Sequence, residues 1–159
     1  MRILGIDCGT ERTGYGIIES DGKRHAPVAF GVIKTNTKDS MADRLTLIAR
    51  GLREIIETHR PMTAVIEEAF AAKNQQSALK LAQVRGVAMV VAREGLVQVE
   101  EYSPREIKMS VVGYGNAEKA QVQLMVKALL GLETSPPADA ADALAAAICH
   151  ATHVRMQRV

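Results

Sequence analysis

The chain has 159 residues, 47% of them hydrophobic, and a formal net charge of +2. That size and apolar content suit one domain with one core and leave no room for a second. With no apolar run long enough to span a bilayer, and no charged start leading into a signal core, the expectation is a soluble, cytoplasmic protein. Cys8 and Cys149 lack C-x-x-C spacing, which argues against a disulfide framework or a zinc cluster.

The run Arg2-Ile3-Leu4-Gly5-Ile6 is too short for a helix and ends in Asp7, which predicts a strand with a carboxylate at its C-terminal edge. Alternation puts Ile3, Gly5 and Asp7 on one side, and Leu4 and Ile6 on the other. Gly9 turns the chain, and residues 13–19 return as a second strand, with Gly14 and Gly16 open to close approach. Asp21-Gly22 marks a turn, and residues 28–35 complete an antiparallel meander. Asp39 or Ser40 caps a helix carrying Leu45, Ile48, Ala49, Leu52, Ile55 and Ile56 at helical spacing, and Pro61 stops it. A strand left by way of a helix implies a parallel partner, residues 62–67, ending in Glu67-Glu68.

Residues 74–92 predict a long helix whose second half is apolar on nearly every face, so it must be buried in this core or a partner's. Gly86 within it costs about 1 kcal/mol relative to Ala, which suits a site of close backbone packing. Residues 96–102 form a fifth strand and Pro104 opens a short helix. After Gly113-Tyr114-Gly115, Asn116 caps a helix bearing Val122, Met125, Val126 and Leu129, which Gly131 ends. Ser135 and Pro136 begin a last helix with Ala140, Leu144, Ala147, Ile148 and Ala151 on its core face. The expected result is one α/β domain over residues 1–154, a five-stranded mixed sheet flanked by helices, with residues 155–159 as a frayed tail.

Asp7 can be read as the opener of a turn or as a site residue; other acids must converge on it for chemistry. Asp139 and Asp142, three residues apart, project from one side of the last helix. Acids there also complement a helix dipole, and that alternative stays open. Against it, Asp142 lies among Ala140, Ala141, Ala143 and Leu144, where an isolated carboxylate is costly unless a cation relieves it. Two strand-edge acids and two helix acids would supply hard oxygen ligands for Mg²⁺, as in two-metal hydrolysis at phosphorus. With those four acids set aside, the remainder carries +6, the +2 total less −4, which suits a phosphate backbone.

Several blocks, in order, resemble the RuvC Holliday-junction resolvases. These are Gly5-Ile6-Asp7-x-Gly9-Thr10 with Thr13-Gly14-Tyr15-Gly16, Ile66-Glu67 with Phe70-x-x-Lys73-Asn74, Ser77-Ala78-Leu79-Lys80-Leu81 and Arg85-Gly86-Val87. Val111-Val112-Gly113, Ala117-Glu118-Lys119-x-Gln121-Val122 and the run from Ala138 through Asp139 and Asp142 to Ala145 follow. The resemblance covers about residues 2–152. It implies a ribonuclease H-like fold and a homodimer that nicks opposed strands of a four-way junction in recombination and repair. It also implies a pair of Mg²⁺ ions per site, replaceable by Mn²⁺, and the RuvA and RuvB branch-migration proteins as partners. By the same resemblance Asp7, Glu67, Asp139 and Asp142 are the catalytic, metal-binding acids. Cys8 departs from the proline that the family commonly has there.

Phe70, close after the Glu67 strand end, would stack on or wedge a base; core packing is its other reading. Lys108 and Lys119 resemble lysines that the family places at the phosphate backbone. Lys119 opposes the dipole of its own helix and so gains nothing structurally there. Lys73, Asn74, Lys80 and Arg12 are further phosphate-contact candidates. His150 and His153 beside Cys149 lack a second cluster to complete a metal site. The opening motif also resembles the first phosphate loop of the actin, heat-shock-ATPase and sugar-kinase fold, but 159 residues hold neither the two lobes nor the second phosphate loop of such ATPases. A small resolvase-like family with a similar opening, and a binding module that recognises branched DNA without cutting it, are the other rivals. Strand alternation alone does not choose between Glu67 and Glu68; spacing to Phe70 in the resembled family selects Glu67.

Overall fold

Alternation of apolar residues with glycine makes the opening a hairpin, β1 (Arg2–Asp7) and β2 (Arg12–Ser20), and β3 (His25–Lys34) completes the antiparallel meander in the computed structural model. The structure describes residues 1–68 and 74–157. Of the two candidate caps, Ser40 is the one used. Its hydroxyl accepts the Asp43 N–H (3.1 Å) and starts α1 (Met41–His59), which Arg60 ends in a left-handed conformation just before Pro61. This helix crosses to β4 (Thr63–Glu67), parallel to β1 as crossover logic requires. From α2 (Gln75–Glu94) the chain enters β5 (Gln98–Tyr102), parallel to β4, which gives the strand order β3-β2-β1-β4-β5.

Three helices follow, α3 (Pro104–Val112), α4 (Lys119–Leu129) and α5 (Ala138–Gln157). The two faces of the sheet then divide the core. Leu4, Ile6, Ile17, Ala64 and Ile66 pack with Ile48, Leu52, Val84 and Ala88 of α1 and α2. On the other face Ile3, Ile18 and Val65 meet Ile107, Val126, Leu144 and Ile148 of the last three helices.

The position of α5 follows from small residues on both sides of one contact. A Cβ added to Gly5 would lie 1.7 Å from the Ala143 carbonyl oxygen, and one added to Gly14 would lie 2.0 Å from that of Asp139. Only glycine on the strands, facing alanine-rich helix, lets the two backbones approach so closely. The helix start is thereby pressed against the end of the sheet where β1 delivers Asp7.

Four local expectations need correction. The last helix begins at Ala138 rather than at Ser135 and Pro136, because the Pro137 carbonyl accepts the first helical bond, from Ala141 (2.9 Å). It runs on to Gln157, through the start of the stretch expected to be a tail. For α4 the cap is Glu118 and not Asn116: the Glu118 N–H donates to the Gln121 side-chain oxygen (2.9 Å), a reciprocal cap that a search for Ser, Thr, Asp or Asn overlooks. Finally, outside its own neighbouring helix backbone, no atom among the described residues lies within 4 Å of a Cβ built on Gly86, so the close packing expected there does not come from the rest of this fold; Gly86 borders an apolar groove between α1 and α2.

Candidate active site

Asp7 and Glu67 end the two central parallel strands, paired in register up to Ile6 and Ile66, so both carboxylates emerge at one edge of the sheet. Alternation sends both to the α5 side, with Ile3 and Val65 beneath them. Glu68 has the opposite parity, and its N–H is bound by the Tyr102 carbonyl (2.9 Å). A cleft of about 370 Å³ opens there, lined by Asp7, Glu67, Asp142, Lys108, Lys119 and Val122 among others. Asp142 reaches it from the second turn of α5, Lys108 from α3 and Lys119 from the first position of α4.

Asp139, one turn before Asp142, is not among the side chains that line the cleft, yet its charge reaches Asp7. Its Oδ2 accepts from Arg12 Nε at 2.7 Å. The Lys119 ammonium makes the corresponding contact with Asp142 Oδ2, also at 2.7 Å. Lys119 therefore does have a structural partner, contrary to expectation, and Arg12 is engaged by an acid in this state. Asn74 caps α2 by accepting the Ser77 N–H (2.8 Å), and Lys80 is exposed on the same helix. Phe70 and Lys73 lie outside the described residues. The late cysteine and histidines bind within the fold: the Tyr102 hydroxyl meets His150 Nδ1 (3.0 Å), and Cys149 Sγ donates to Ser110 Oγ (3.3 Å).

Burial, and then the charges of Asp142, Asp139 and Glu67, push Asp7 up to about 7; Lys119 pulls the other way. Glu67 is raised by burial and by Asp142, against Lys108 and Lys119. Burial also raises Asp142, while its hydrogen bond from Lys119 lowers it, and that same bond raises Lys119. The Cys8 thiol, beside these acids, is pushed up to about 12 by burial and by Asp7, so it stays neutral.

Among the described residues no three Asp, Glu, His or Cys side chains stand ready to hold a metal ion, for Asp139 and Asp142 are both turned onto cations. The donor set nevertheless fits a hard divalent cation. It consists of carboxylates, and Asp7 bears both a burial cost and like-charge repulsion that such a cation removes.

The family model described as crossover junction endodeoxyribonuclease RuvC matches residues 3–150. The chain belongs to the RuvC family. Curated RuvC relatives include that of Coxiella burnetii, 56% identical over 154 residues, covering 97% of this chain and 89% of the relative. The RuvC of Acinetobacter baumannii is 53% identical over 94% of this chain and 82% of its own length. Among solved structures, T. thermophilus RuvC in complex with Holliday junction substrate superposes with a TM-score of 0.94 at 33% identity, over 99% of this chain and 96% of that one. The ribonuclease H-like fold expected from the sequence is therefore the fold present. RuvC membership makes this chain a crossover junction endodeoxyribonuclease, a hydrolase of phosphodiester bonds.

Proposed function

We propose that this RuvC-family chain resolves four-way DNA junctions through Asp7, Glu67, Asp139 and Asp142 as the metal-binding catalytic acids, acting with a pair of Mg²⁺ ions that Mn²⁺ can replace. The observation that carries the reading is convergence: β1, β4 and α5 bring carboxylates to one cleft edge, and Asp7 is pushed up to about 7 there. Mg²⁺ bound by these acids would supply Lewis acidity and a water of lowered pKa. The protein's own part is to hold the acids on rigid strand ends and a tightly packed helix. Lys108 and Lys119, which line the same cleft, hold the substrate phosphate and counter its developing charge.

Symmetric nicking of opposed strands calls for two such sites, and α2 supports a homodimer. It leaves Leu79 and Val90 61% and 57% exposed, and Val90 borders an apolar groove with Leu45, Ala49 and Val87. Cooperation with the RuvA and RuvB branch-migration proteins belongs to the same reading by family resemblance. The deciding experiment compares cleavage of a mobile synthetic four-way junction with that of a linear duplex of equal length, with and without Mg²⁺. Mg²⁺-dependent, paired nicks in the junction alone are expected. Equal cutting of both substrates, or cutting in chelator, would overturn the reading.

A further inference from the structure

The turn of residues 8–11 joins Asp7 to β2, and its backbone is held from one side. The Thr13 hydroxyl donates to the Gly9 carbonyl (2.8 Å), the Thr35 hydroxyl to the Thr10 carbonyl (2.5 Å) and the Thr35 N–H to the Glu11 carbonyl (2.9 Å). Thr13 is fully buried and shares the α1 side of the sheet with Ile17, while Thr35 is met by Arg44 of α1. In a trans peptide the carbonyl and the N–H point in opposite directions. Drawing the Gly9 and Thr10 carbonyls toward α1 thus turns the N–H groups of Thr10 and Glu11 to the other side, where Asp7 and α5 lie. Neither N–H has an acceptor among the described residues.

Arg44 is an independent anomaly at the same place. It is only 7% exposed, lies at the start of α1 where a cation opposes the dipole, and pairs with no carboxylate among the described residues. Its Nε donates to the Thr35 hydroxyl at 3.2 Å. A buried cation without a counter-ion is costly until an anion comes within its field. Through Thr35 its charge polarises the peptide whose far end is the Glu11 N–H, and so strengthens that donor.

We propose that the Thr10 and Glu11 N–H groups, oriented by Thr13 and Thr35 and backed by the charge of Arg44, bind a DNA backbone phosphate adjacent to the one held over the acids. This rests on the nuclease reading above and adds a second grip, one built from backbone. Its function is to fix the strand's register, so that the correct phosphodiester meets the carboxylates.

The test measures junction binding in chelator, where cleavage does not intervene, by fluorescence anisotropy. Single phosphates around the junction centre are replaced in turn by uncharged methylphosphonates. One position next to the cut site should weaken wild-type binding about tenfold, as for loss of a hydrogen bond to a charged group. Thr35→Val should weaken binding of the unmodified junction by about as much and be indifferent to that one methylphosphonate, whereas Thr35→Ser keeps the hydroxyl and should bind as wild type. Melting curves establish that the variants fold; should Thr35→Val fail to, the scan on the wild type decides alone. A scan in which no phosphate besides the cut one matters would overturn the proposal, as would a folded Thr35→Val that binds and responds like wild type. Wild type that prefers a junction no more than a duplex would instead sink the nuclease reading.

Discussion

The ammonium of Lys119 lies 2.7 Å from Oδ2 of Asp142 and so joins the first position of α4 to the start of α5 across the cleft. With Lys119 61% exposed, the pair contributes at most about 1 kcal/mol to stability. Lys119→Ala should therefore melt close to wild type. If, as proposed, the lysine acts on charge developing on the phosphate, cleavage should fall about a hundredfold, with a smaller loss of junction binding. Equal losses in single-turnover cleavage and in binding would reduce it to a backbone contact.

Asp7→Asn keeps the side chain's shape but removes the charge of a proposed metal ligand, so cleavage should vanish while junction binding persists. The metal-free protein offers a separate readout. Asp7 is pushed up to about 7 from its ordinary 3.8, so the folded state holds a proton that the unfolded state releases between those values. The stability from this group is fully present below the unfolded value and is lost as pH rises through 7. In chelator Asp7→Asn should therefore melt above wild type at pH 8, with the gap closing toward pH 4. A gap that widens on acidification would contradict the buried-carboxylate account.

Glu67 and Glu68 are neighbours with opposite parity, and only Glu67 lines the cleft. Glu67→Gln should lose nearly all activity and Glu68→Gln should retain most of it, with matching circular dichroism spectra and melting temperatures. The reverse result would place the metal site on the wrong face of β4.

Gly5→Ala tests the seating of α5. The new methyl would fall 1.7 Å from the Ala143 carbonyl oxygen, so the helix must move, at a cost of about 1–3 kcal/mol or more. Because Asp142 rides on that helix, the variant should lose stability and cleavage together, and raising Mg²⁺ should restore cleavage only in part. Wild-type melting with wild-type activity would show that α5 is not set by this contact.

For the homodimer, Val90→Glu places a charge on the exposed face of α2. Light scattering at micromolar concentration should show a dimer for wild type and a monomer for the variant, whose paired nicking should fail although its fold is kept. A wild-type monomer with full resolvase activity would exclude the α2 interface.

Much of the fold was legible before any tertiary contact was known, because it rests on local rules. The apolar run ending in Asp7, the glycine-bearing return strand, the helix stopped by Pro61 and the second strand ending in Glu67 fall within a few residues of β1, β2, α1 and β4. Helix starts were less legible. Glu118 caps through a partner three residues on, and α5 begins after its prolines instead of at them.

The four acids proposed as metal ligands rest on chain order and family resemblance, and the sequence by itself determined that acids stand at the ends of β1 and β4 and near the start of α5. Only the tertiary structure decided their state. That Lys119 meets Asp142, that Arg12 pairs with Asp139, and that Arg44 reaches the Asp7 turn through Thr35 are contacts between residues distant in sequence. No periodicity or cap signal encodes them. Each arises because glycine on β1 and β2 lets α5 settle against the sheet, and because α1 returns across its other face, and the protonation of Asp7 follows from the burial and crowding that this packing creates.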